Sequence, residues 1–100
     1  MPIVVEFQQN TAQIMLVGGI DYSTQEEFSR ANQQALSSEA TEIIVNFAKA
    51  TFLDSAGIRA LILLQKEAQA SGKSLTLIHC SEDMREIFEI GGFDRMFTFR

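Results

Sequence analysis

Phe52-Leu53-Asp54-Ser55-Ala56-Gly57-Ile58 is where one structural period gives way to another. Upstream, Ile43-Ile44-Val45-Asn46-Phe47 is a short, nearly continuous apolar run, the pattern of a strand covered on both faces. Downstream, Ile58, Leu61, Ile62, Leu64, Gln65 and Ala68 recur at helical spacing, and Gly72 is a fitting stop. A strand therefore hands over to a helix at Asp54 and Ser55. The first N–H groups of a helix have no internal partners, and its dipole is positive there. Ser55 either caps the helix with its hydroxyl or presents that hydroxyl for modification, and a phosphate on it would meet donors.

Working outward, residues 3–7 and 12–17 read as strands, with Gln9-Asn10-Thr11 as the turn between them. Asp21 or Ser23 can cap the next helix, Ser23 with Glu26 fits a capping box, and that helix runs to about Leu36. Its inner side carries Phe28, Ala31, Ala35 and Leu36. Residues 74–78 form a further strand. Ser81 caps a short helix with Met84, Ile87 and Phe88 turned inward, Gly91-Gly92 ends it, and residues 96–99 are a last strand.

Strands alternating with helices predict an α/β fold, one domain over residues 1–100, with a mainly parallel sheet, an antiparallel edge strand and flanking helices. In such sheets, function sits beyond the carboxyl ends of the strands. Asp21 follows the second strand, and Asp54 and Ser55 follow the third, so the two places are expected side by side.

Composition narrows the function classes. A hydrophobic content of 46% over 100 residues is enough for a core. A formal charge of −5 leaves no basic footprint for nucleic acid and suits partners with basic patches. The single cysteine, Cys80, excludes an internal disulfide and predicts a reducing, cytoplasmic setting. Residues 1–20 lack the pattern of a signal peptide, and every apolar run is too short to span a bilayer, so direct membrane insertion is not expected.

The D-S-A-G-I run at 54–58, the Gly18-Gly19-Ile20-Asp21 segment and the order of elements resemble the STAS family, shared by sulfate transporters and bacterial anti-sigma factor antagonists. The resemblance covers about residues 3–99. It implies that Ser55 is a phosphoacceptor. It places Asp21, Asp54, Ala56, Gly57 and Arg59 on the face that binds a partner. The implied partners are an anti-sigma factor serine kinase, which modifies Ser55 and is thereby released, and a serine phosphatase that resets the module. No cofactor and no catalysis by the chain itself are implied. The alternatives are a cytosolic subunit or regulator of a lipid or anion transporter, and a sensor of small anions or nucleotides. The sequence departs from the family pattern in three places. Ala56 replaces a common second serine, Arg59 stands where a small residue is frequent, and the chain stops at Arg100, where many members continue into a closing helix. The last departure predicts thinner cover and a partner or weak self-association face near the chain ends.

Other residues have plainer readings. Asp21 and Asp54 can be caps or solvated acids as well as partner contacts. Gly57 admits close approach of another backbone at the helix start, or fits helix–sheet packing. Arg59 is either solvated or able to reach back to a phosphate on Ser55, four residues away on the same helix face. Thr51 reads as loop, with a second modification site as the alternative. Gly72-Lys73-Ser74 stands before a strand, and Glu67 occupies the position where a phosphate-binding loop needs its first glycine. His79-Cys80 lacks partners at metal-ligand spacing.

Overall fold

The row Val5–Ile14–Val45–Leu77–Phe99 runs straight across five strands and organises the molecule. In the computed structural model, which describes residues 3–100, the strands are β1 (Ile3–Gln8), β2 (Thr11–Ile20), β3 (Glu42–Leu53), β4 (Ser74–Ile78) and β5 (Thr98–Phe99). They lie in the sheet in the order in which they occur in the chain. β1 and β2 form an antiparallel hairpin, and every later pairing is parallel. Each parallel step needs a crossover. The helices α1 (Gln25–Ser37), α2 (Ser55–Ala70) and α3 (Glu82–Ile90) provide them, with a 3-10 turn at Tyr22–Thr24 leading into α1.

All three α-helices pack on one face of the sheet. Period-2 alternation turns Ala12, Ile14 and Leu16 of β2, and Ile43, Val45 and Phe47 of β3, toward them. α1 contributes Phe28, Ala31 and Ala35, and α2 contributes Leu61, Leu64 and Ala68. α3 seats Met84 and Phe88, with the Phe88 ring edge-on to Phe97 and Phe99 at 5.6 and 5.5 Å. Gln65, buried in α2, donates its side-chain N–H to the Met96 carbonyl and ties α2 to the C-terminal segment. Lys73 donates its ammonium to the Ser38 and Ala40 carbonyls, holding the α1–β3 connection against the end of α2. That ammonium has a structural task, in keeping with the rejection of a phosphate-binding loop.

The structure corrects several expectations. β3 is not covered on both faces: Glu42, Ile44 and Asn46 alternate onto an outer face that carries no helix among the described residues, beside Val4, Met15 and Ile78. β3 also runs on to Leu53, because bulges between Met15/Val17 and Gly18/Gly19 let it take extra residues while staying paired with β2. Thr51 is thus a strand residue, not a loop residue. In α3, Ile87 and Ile90 are exposed, so Ile87 is not a core residue. The last strand is only Thr98–Phe99.

Phe88 is the largest apolar contribution of α3, and Arg85 of the same helix also reaches β5, its guanidinium 4.4 Å from the centre of the Phe99 ring. Phe88→Ala is expected to cost about 3–5 kcal/mol through lost transfer energy and a cavity. A shift of the urea midpoint at unchanged slope measures it.

Candidate functional site

Asp54 closes β3 and opens α2. Its backbone is extended, and its Oδ1 accepts the N–H groups of Ala56 and Gly57 at 2.9 and 3.1 Å. It is therefore the N-cap, a role for which aspartate and serine are both favoured. Of the two caps the sequence allows, Asp54 takes the role and Ser55 does not: Ser55 is the first helical residue, exposed, and its hydroxyl makes no hydrogen bond among the described residues. The physical reason is tertiary. The Asp54 N–H donates to the Ile20 carbonyl at 3.1 Å, which fixes the strand–helix boundary one residue before the serine.

The second loop comes from β2. Asp21 caps the 3-10 turn, accepting from the Ser23 hydroxyl at 2.6 Å and from the backbone N–H groups of Ser23 and Thr24. The Thr24 hydroxyl accepts in return from the Asp21 N–H at 2.9 Å. This reciprocal box replaces the expected pairing of Ser23 with Glu26, and α1 begins only after it. The Ser23 hydroxyl and the backbone donors hold the Asp21 carboxyl below its ordinary value. Such a group contributes stability above its unfolded pKa and loses it as the pH falls through the lower folded one.

The two loops are stitched together. Asp54 Oδ2 accepts the Tyr22 N–H at 3.2 Å, and the Ile20 carbonyl accepts from Asp54. Gly57 completes the contact: a Cβ there would lie 3.0 Å from the Ile20 carbonyl and would strike Leu53. The Asp21 turn and the Asp54–Ser55 turn therefore share the carboxyl edge of the sheet, as their sequence positions predicted.

Around this edge α2 forms a ridge. Ser55, Ile58, Arg59, Ile62 and Phe93 line a largely apolar concavity of about 260 Å³ on one side. Gln25, Glu26, Ser29, Ala56, Arg59, Ala60 and Leu63 line another of about 350 Å³ between α1 and α2. Arg59 borders both and has no ionic partner among the described residues, whereas Arg30 pairs with Glu26 and Arg100 with Glu42. Tyr22, 75% exposed, and Leu63, 53% exposed, flank the edge. Neither was singled out from sequence. Tyr22 is a large aromatic inside a capping turn, a signal that could have found it. Cys80 lies apart, half-buried, with burial pushing its thiol up to about 11. No cluster of three His, Cys, Asp or Glu placed to hold a metal occurs among the described residues, and no helix among them is long and apolar enough to cross a membrane.

Two substitutions separate the roles of adjacent residues. Asp54→Ala removes the cap and is expected to cost about 0.5–2 kcal/mol. Ser55→Ala, on an exposed side chain without partners, is expected to stay within about 0.5 kcal/mol of wild type. Chemical denaturation of both variants checks the cap assignment. Gly57→Ala, which forces the Ile20 carbonyl away from α2, is expected to lose about 1–3 kcal/mol in the same measurement.

Comparison with known proteins agrees with this geometry. The family model described as "Mlab, STAS domain" matches residues 3–98. A STAS-domain containing protein of Pseudomonas aeruginosa (strain UCBPP-PA14) is 29% identical over 84 residues, covering 84% of this chain and 82% of the relative. The anti-sigma factor antagonist SpoIIAA superposes in its unphosphorylated form with a TM-score of 0.78 at 25% identity, covering 98% of this chain and 86% of that one. The phosphorylated form of Bacillus SpoIIAA gives 0.76 at 26% identity, with 98% and 90% covered. A sulfate transporter family protein from Wolinella succinogenes shares the fold, with a TM-score of 0.79 at 14% identity over 92% of this chain and 78% of that one. A family match over nearly the whole chain, on a sheet, helix order and capped turn of this form, shows that the protein belongs to the STAS domain family.

Proposed function

We propose that the protein is a regulatory binding module of the anti-sigma factor antagonist type, switched by phosphorylation of Ser55. The observation that carries the reading is the division of labour at the turn. Asp54 performs the capping, so the Ser55 hydroxyl has no structural duty and stands exposed on the ridge of α2. A kinase can take it without disturbing the fold. The likeness to SpoIIAA, solved in both unphosphorylated and phosphorylated forms, supports the same reading.

In this reading the unmodified protein binds a partner-switching serine kinase through the α2 ridge and the neighbouring Asp21 turn. The kinase transfers the terminal phosphoryl group of ATP to Ser55 Oγ. The hydroxyl proton goes to a base on the kinase, and ADP leaves. The phosphate adds about −1.5 to −2 charges to the contact surface. These charges lie beside Asp54 and must be desolvated or repelled in the complex, so the partner is released. A phosphatase restores the hydroxyl. The chain contributes the acceptor, the binding face and a rigid support, and the chemistry belongs to its partners. Asp21 and Asp54 set the shape and charge of the face, Ala56 and Gly57 keep the helix start close to β2, and Arg59 provides its cation.

Intact-mass measurement on protein from its own host is expected to show one phosphate, localised to Ser55. Ser55→Ala is expected to keep the kinase bound, and Ser55→Asp to bind it about tenfold or more weakly, which is about 1.4 kcal/mol. Equal affinity of the unmodified and phosphorylated forms would overturn the switch and leave the ridge a constitutive docking face, the kind a transporter-associated module would use.

A further inference from the structure

A phosphate on Ser55 would be expected to draw on the free N–H groups of the helix start, but few of them are available. Of the four that a helix leaves without internal partners, that of Asp54 goes to the Ile20 carbonyl, and those of Ala56 and Gly57 go to the Asp54 carboxylate. The next, that of Ile58, already bonds the Asp54 carbonyl. Among these, the Ser55 N–H alone lacks a partner. The Asp54 carboxylate also sits beside the modified residue, and the Asp21 carboxylate belongs to the turn stitched to it. These carboxylates offset the positive end of the helix, so a nearby cation adds what the helix start lacks.

One cation is placed to do so. Arg59 lies four residues on, so it shares the Ser55 face of α2. Side chains on a helix lean toward its N-terminus, which carries the Arg59 stem toward Ser55. An acid one turn N-terminal to a cation is also the more favourable order for such a pair. Both residues are exposed, both line the same concavity with Ile58, Ile62 and Phe93, and the Arg59 guanidinium makes no ion pair or hydrogen bond among the described residues. Its planar fork matches two phosphate oxygens at once.

The geometry points to Arg59 as the counter-ion of the phosphorylated state: a phosphate on Ser55 captures the guanidinium and withdraws it from the concavity between α1 and α2 that it borders in the unmodified protein. The inference rests on Ser55 as the acceptor and adds how its modification changes the surface. Phosphorylation then alters two things a partner reads. It adds charge at Ser55, and it removes the Arg59 cation from the concavity beside Leu63 and Ala60.

The test uses full-length protein with phosphoserine installed directly at position 55, titrated by phosphorus NMR. In wild type the second ionisation of the phosphate is expected at lower pH than in Arg59→Gln, by about half a pH unit or more, as a nearby cation favours the dianion. Arg59→Lys is expected to fall between them, and added salt to narrow the gap. The Arg59 side-chain N–H signal is expected to move on phosphorylation, while thermal unfolding of unmodified Arg59→Gln matches wild type. Because the phosphate is placed directly, absence of a cellular phosphate would remove the switch without touching this result. Identical phosphate ionisation in wild type and Arg59→Gln would overturn the counter-ion and leave the switch standing.

Discussion

The structure at the carboxyl edge depends on one carboxylate. Asp54 bonds the start of α2 through Oδ1 and the Asp21 turn through Oδ2, while its own N–H holds the end of β2. The end of β2 with the turn that follows it and the start of α2, which are 32 residues apart at Tyr22 and Asp54, meet at a single residue. Hydrogen bonds to an ionised group are stronger than neutral ones, and here the donors are backbone groups that would otherwise be unpaired. The serine beside it is exposed because the aspartate does this work. The capping duty thus falls on Asp54, and the neighbouring Ser55 hydroxyl is left without one among the described residues.

The absence of a side chain at Gly57 matters as much as the carboxylate. The Ile20 carbonyl approaches α2 closely enough that a Cβ at position 57 would lie 3.0 Å from it. Gly19 plays the matching part on the outer face, where a Cβ would run into the Phe52 ring across the strand pair. The glycines of β2 and α2 therefore let the last residues of two parallel strands close on each other. The bulges in β2–β3 pairing bring both strands to that edge together. Functional turns placed beyond strand ends need this kind of convergence to share a surface.

Much of this was legible in the sequence. The element order, the strand-to-helix turn and the meeting of Asp21 with the Ser55 turn follow from hydrophobic periods and from the rule for parallel sheets. What was not legible has physical reasons. Asp54 and Ser55 are both good caps, and only the long-range bond to Ile20 chooses between them. The apolar run ends at Phe47, short of the end of β3, because the bulges break the two-residue period that marks a strand. Ile44 beside Ile43 and Val45 suggested cover on both faces, yet an isoleucine on an open sheet face looks the same in sequence. Asn32, buried in α1 with its side-chain carbonyl unpartnered, carries no signal that separates it from the exposed Gln33 and Gln34.

The sheet order carries a consequence for how the molecule is made. Because the strands lie side by side in chain order, each one adds to the edge left by the one before it, and none has to be inserted between two already paired. A chain leaving the ribosome N-terminus first can lay down the hairpin, then add β3 through α1, while the C-terminal third is still being synthesised. Among the described residues the hairpin is the only local pairing, and each parallel step needs its crossover first, so assembly can proceed in one direction along the sheet. The paired turns at Asp21 and Asp54 can close as soon as α2 forms, before α3 and β5 exist. On this order of events the carboxyl edge of the sheet can mature early, and the aromatic cluster around Phe88 can close the nascent domain last.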